Sequence, residues 1–142
     1  MEVTTARNER LIPVSLPDRP VGGHYSPAIV AGGYVFTSGQ LPICRSGAIL
    51  ANEAFEDQAR QVLRNLAEVL DQAASGLQEV VKITVFLVGV DNWPTFDRIF
   101  AEFFGAHRPA RSVIPVPELH FGCLLEVEAI SVKNSAELPS SL

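Results

Sequence analysis

The segment 122–132 reads Gly-Cys-Leu-Leu-Glu-Val-Glu-Ala-Ile-Ser-Val. Strand alternation would put Leu124, Glu126, Glu128, Ile130 and Val132 on one face and Cys123, Leu125, Val127 and Ala129 on the other. Two carboxylates thus share a face with large aliphatic side chains. A carboxylate in that company needs a partner, a hydrogen bond or a proton, and the resulting pKa shift makes it a candidate acid or base. The alternative is a wet position at the sheet rim, or pairing with Lys or Arg.

Arg111, in His-Arg-Pro-Ala-Arg-Ser-Val-Ile-Pro-Val-Pro (107–117), poses the mirror problem, because a guanidinium carried into a strand needs an anion beside it. One reading, the first on the residue alone, is an ion pair to Glu126 or Glu128 across neighbouring strands. The other is a fork left open for a ligand carboxylate, where two parallel charge-assisted hydrogen bonds contribute about 1.5–3 kcal/mol each before desolvation. Ser38 and Gly39, in Thr-Ser-Gly-Gln, stand at a strand end and offer a hydroxyl and approachable backbone amides, or merely a turn. There is no Gly-x-Ser-x-Gly elbow, P-loop or dinucleotide fingerprint. His24, His107 and His120 lack metal-ligand spacing with one another or with Cys44 and Cys123, so no metal site is expected.

The elements that must position these groups follow from periodicity. Tyr34 to Pro42 reads as a strand leaving a Gly32-Gly33 hairpin turn. Residues 52–76 place Phe55, Ala59, Val62, Leu63, Leu66, Leu70 and Ala73 on one helical stripe, with Asn52 predicted to cap and Gly76 to close the helix. A strand spans 80–90. A second helix opens at Asp91-Asn92, has Pro94 in its first turn, turns Trp93, Phe96, Phe100 and Phe103 inward and stops at Gly105. Strands follow at 110–117 and 123–132. Two helices of this size cover one face of such a sheet, so the other apolar face predicts self-association.

The totals fit one domain of 142 residues: 47% hydrophobic, 19% charged, net charge -5. The acidic balance argues against nucleic acid as a partner. No apolar run is long enough to span a bilayer, and the two cysteines read as reduced, packed thiols. The expectation is a soluble, cytoplasmic protein with residues 1–20 as an extended arm and 134–142 as a polar tail, both loosely ordered.

Taken together, His-Tyr-Ser-Pro-Ala (24–28), Phe-Thr-Ser-Gly-Gln-Leu-Pro (36–42), 58–70, Val-Val-Lys-Ile-Thr-Val-Phe-Leu (80–87), Phe-Phe-Gly-Ala-His-Arg-Pro-Ala-Arg-Ser (103–112) and Leu-Glu-Val-Glu-Ala-Ile (125–130) resemble the Rid family of YjgF-like reactive-intermediate deaminases. The match runs in register from about residue 22 to 133. The resemblance implies an α+β, chorismate-mutase-like fold, a six-stranded mixed sheet with two helices on one face, and a homotrimer with clefts between subunits. It implies hydrolysis of enamine and imine acids of the 2-aminoacrylate and 2-iminopropanoate type to 2-keto acids and ammonia, without cofactor or metal. It assigns Arg111 to the substrate carboxylate, Glu126 to water, and Tyr25, Ser38 and Gly39 to the cleft. Val113, where many members carry cysteine or threonine, also faces the substrate in this reading, while His24 and His120 depart from the pattern and bear on substrate choice. A trimer that binds small carboxylates without catalysis is the alternative.

Overall fold

Gly32 and Gly33 both take positive φ, 59° and 85°, the geometry of a two-residue turn whose twist matches the strands it joins. They connect β2 (Ala28–Ala31) to β3 (Tyr34–Thr37), as the sequence predicts. The structure, a computed structural model, describes residues 10–134. The remaining elements are β1 (Ile12–Val14), α1 (Phe55–Gln72), β4 (Val80–Leu87), α2 (Trp93–Phe104), β5 (Ala110–Pro115) and β6 (Leu125–Val132).

The strands form one six-stranded mixed sheet in the order β1-β2-β3-β6-β4-β5. Only β4 and β5 run parallel, joined by α2 as a crossover. β6 inserts antiparallel between β3 and β4, so the two connections that contain helices both return on the same face. That face holds the core. Val35, Ile83, Val85, Leu87, Leu125 and Val127 from the strands pack against Val62, Leu63, Leu66 and Leu70 of α1 and Phe96, Ile99 and Phe104 of α2, all with no more than 1% exposure.

The predicted stripe of α1 is buried at every position named, but its ends lie elsewhere. Ala54, not Asn52, occupies the N-cap position and makes no side-chain cap. Ala74 takes the left-handed conformation (φ 59°) that was expected of Gly76, with Ser75 N–H reaching back to Leu70 O at 2.8 Å. The polar substitute for a cap is Gln58, fully buried, whose Nε2 donates to Ala51 O and Glu53 O. In α2 the inward set is Phe96, Ile99, Phe100 and Phe104; Trp93 and Phe103 are half-buried at its margin. Residues 1–9 and 135–142 of the predicted loose ends lie outside the described residues, but the rest of the arm is ordered. Ile12–Val14 pairs with β2 as an edge strand, and Arg19 donates to Asn65 Oδ1 and Glu68 on α1.

The second face of the sheet is bare. Cross-strand neighbours Tyr34 and Val132, then Phe36 and Ile130, form one apolar group on β3 and β6, and Phe86 with Ile114 a second on β4 and β5, with Lys82, Thr84, Glu126 and Glu128 between them; Tyr34, Phe36, Ile114 and Val132 are exposed. Exposed apolar side chains on an uncovered sheet face call for a partner surface.

Candidate active site

Glu126 and Glu128 do fall on the bare face, in register with Phe86 and Thr84 of β4. Gln40 and Val127 exchange backbone hydrogen bonds at 2.7 and 3.1 Å, which draws the chain after β3 onto β6. Gly39 thereby lies directly against Glu126: a Cβ at position 39 would fall 2.9 Å from Glu126 Cδ. Burial pushes the Glu126 carboxyl above the ordinary glutamate value, the neighbouring Glu128 charge adds to the rise, and His120 pulls it partly back. A carboxyl so held gives up its proton less readily than a solvated one, the property of a candidate acid or base. Burial, then Glu126, likewise raises the Cys123 thiol, a packed thiol suppressed as a nucleophile.

Beside this carboxyl opens a cavity of about 520 Å³, lined among others by Tyr25, Gly39, Leu41, His120 and Phe121. Ser38 does not point a free hydroxyl into it. Its Oγ donates to Ser26 O at 2.7 Å and its N–H to Pro27 O at 2.9 Å, so Ser38 holds the turn that carries Tyr25. The far wall is anchored by Asn65, 2% exposed, whose Nδ2 donates to Leu41 O and Ile43 O, both at 2.9 Å. At the mouth, Phe121 sits at φ 63°, with its ring 3.8 Å from that of His120. A left-handed phenylalanine costs on the order of 1 kcal/mol and persists only where its surroundings fix it.

Arg111 and Val113 are elsewhere. They stand opposite Ile83 and Val85 on the parallel β5, hence on the helix face, while Glu126 opposes Phe86 on the bare face. Two strand spacings and three residues of offset, about 10 Å in each direction, separate the two sites within one chain. Arg111 is an edge-strand residue with a 24% exposed side chain, not an interior one, and it pairs with neither Glu126 nor Glu128. Its Nη1 donates to Asp97 Oδ1 of α2 at 2.9 Å, and its guanidinium carbon lies 4.8 Å over the Phe100 ring. The sequence gives no sign of Asp97, one of two exposed acids on α2 with Glu102, whose partner is set only by how α2 lies against β5. Gln58 and Asn65 were equally hidden, as polar residues inside an apolar stripe. Thus one chain brings Tyr25, Gly39, Glu126 and His120 together and leaves Arg111 and Val113 apart. Among the described residues no His, Cys, Asp and Glu cluster could hold a metal ion, and no helix is long and apolar enough to cross a membrane.

This fold and this cavity place the chain in a class with known members. The sequence pattern of the Endoribonuclease L-PSP family matches residues 17–133, and the chain belongs to that family. A RutC family protein of Pyrococcus horikoshii is 37% identical over 116 residues, covering 82% of this chain and 91% of its own. The Escherichia coli protein described as "Putative reactive intermediate deaminase TdcF" is 34% identical over 117 residues, 80% of this chain and 89% of its own. Its crystal structure with bound serine aligns with a TM-score of 0.79 at 31% identity, over 86% of this chain and 98% of that one. That of yeast Mmf1 aligns at 0.83 and 34%, over 87% and 99%.

Proposed function

We propose that the protein is a hydrolytic deaminase of 2-imino and 2-enamino acids, working as a homotrimer whose clefts lie between copies. The observation that carries this reading is the Glu126 carboxyl, raised in pKa and packed on Gly39 beside a cavity lined by Tyr25. TdcF, a related protein, carries a reactive-intermediate deaminase description and a structure with an amino acid bound.

In this reading the bare apolar face is covered by neighbouring copies, so that Arg111 and Val113 of one chain border the Glu126 cavity of another. Arg111 takes the substrate carboxylate and so aims the imine carbon. Glu126 accepts a proton from water as the water oxygen bonds to that carbon and the C=N π pair moves to nitrogen, then returns the proton to the nitrogen of the carbinolamine; Glu126 takes the hydroxyl proton as the C=O bond forms and the C–N bond breaks, and passes it to the departing ammonia, giving a 2-keto acid and ammonium. No redox step occurs, and a protonated imine is electrophilic enough to need no cofactor. Tyr25, Gly39 and Val113 shape the cleft, and Ser38 positions Tyr25. The reading includes a cytoplasmic location, in keeping with two unpaired thiols, although a related yeast protein is mitochondrial.

The test generates 2-aminoacrylate in situ with a serine dehydratase and follows keto-acid release. Catalysis predicts faster release with the protein, a large loss in Arg111→Ala and a loss of rate with ligand binding kept in Glu126→Gln. Ligand binding without acceleration would establish the binding-module alternative instead.

A further inference from the structure

Arg111 and Asp97 form a one-point ion pair. The exposed pair Arg60–Glu102 uses both carboxylate oxygens, each at 3.1 Å. Asp97 engages Arg111 through Oδ1 alone, and Arg111 answers through Nη1 alone. Among the described residues, Asp97 Oδ2 and the Nη2 and Nε groups of Arg111 have no protein partner. The guanidinium carbon lies 4.8 Å from the Phe100 ring centre and 5.9 Å from that of Phe96, and the Asp97 side chain is 61% exposed. The two side chains therefore present, next to each other, a bidentate edge of donors and a free anionic oxygen. A zwitterionic 2-amino or 2-iminio acid carries the complement, a carboxylate and a cationic nitrogen attached to the same carbon.

We propose that Asp97 is a specificity-determining residue: Arg111 takes the ligand carboxylate while Asp97 Oδ2 accepts from the cationic nitrogen, so the pair selects zwitterions over simple anionic carboxylates. The inference rests on the reading of Arg111 as carboxylate anchor and extends it to the substrate's second charge. It has a consequence for turnover. Hydrolysis removes the nitrogen, and the 2-keto acid left behind meets Asp97 with a lone negative charge, which favours its release.

The experiment measures dissociation constants of L-serine and pyruvate for the full-length protein by calorimetry at pH 7 and low salt. The wild type is expected to prefer serine. Asp97→Asn keeps an acceptor for Arg111 but removes the charge; the serine-to-pyruvate preference is expected to fall about fivefold, the range of a partly exposed ion pair. Glu102→Gln, which removes a charge from the same helix, is expected to leave the preference unchanged. A preference unaltered in Asp97→Asn, equally altered in Glu102→Gln, or absent from the wild type would overturn the inference. Arg111→Ala separates the two layers: if it abolishes binding of both ligands while Asp97→Asn changes nothing, only the role of Asp97 fails. If Arg111→Ala leaves both affinities intact, the carboxylate-anchor reading fails with it. Melting temperatures of the variants, expected within a few degrees of the wild type because Asp97 is exposed, exclude misfolding as the cause.

Discussion

Gly39 and Glu126 are in contact across the junction of β3 and β6, with the carboxyl occupying the space that a side chain at 39 would need. Because the obstructing atoms are the tip of a flexible side chain, a methyl group there displaces the carboxyl rather than the backbone. Gly39→Ala is expected to lower kcat/KM about tenfold or more while shifting Tm by only a few degrees, checked by steady-state kinetics beside thermal melts. A variant as active as the wild type would show that the Glu126 placement is incidental.

The raised Glu126 pKa makes a second prediction with a fixed sign. Folded Glu126 holds its proton above the pH at which the unfolded chain loses it, so its contribution favours the folded state below the ordinary value of 4.5. That contribution is lost as pH rises through the folded value. Stability measured from pH 4 to 7 should therefore fall less steeply, or rise more, in Glu126→Gln than in the wild type. The acid limb of the activity profile, which follows ionisation of the general base, should lie above the ordinary glutamate range.

Buried Gln58 links α1 to the loop before it and to the start of β6, where its Oε1 accepts from Leu124 N–H at 2.9 Å. Gln58→Leu leaves that donor and two carbonyls unpaired in the interior. The expected loss is about 2–4 kcal/mol in denaturant unfolding. Asn65→Leu, by freeing Leu41 and Ile43, should cost activity as well as stability, since both line the cavity.

The bare face supplies a fourth prediction. Phe36→Glu places a charge amid Ile29, Ile130 and Tyr34 without entering the core, and light scattering should report a smaller assembly together with lost activity. An unchanged mass would mean that this face is not where copies meet.

Much of this molecule is legible in its sequence, and the rest is hidden for identifiable reasons. The α1 stripe and the two faces of β6 are periodic signals, and they place Glu126 correctly. β1 escapes because three residues with Pro13 among them carry no periodicity, and it exists only through pairing with β2. Propensity places the end of α1 at Gly76, whereas backbone bonds to Val69, Leu70 and Asp71 close the helix earlier, with Ala74 in the left-handed region. The Arg111–Asp97 pair depends on how a crossover helix lies on an edge strand, a tertiary fact without a local signature. The opposite facing of Arg111 and Glu126 could have been anticipated from strand alternation, had the β4–β5 register been known.

That opposite facing makes the central claim testable by complementation. Arg111→Ala and Glu126→Gln, each inactive alone, are unfolded together in equal amounts and refolded, and keto-acid release from 2-aminoacrylate is measured. If each cleft takes Arg111 from one copy and Glu126 from the next around a closed ring, random mixing leaves about one quarter of the clefts intact, and about that share of wild-type activity should return. Activity that stays at the level of the two parents would contradict a site shared between copies.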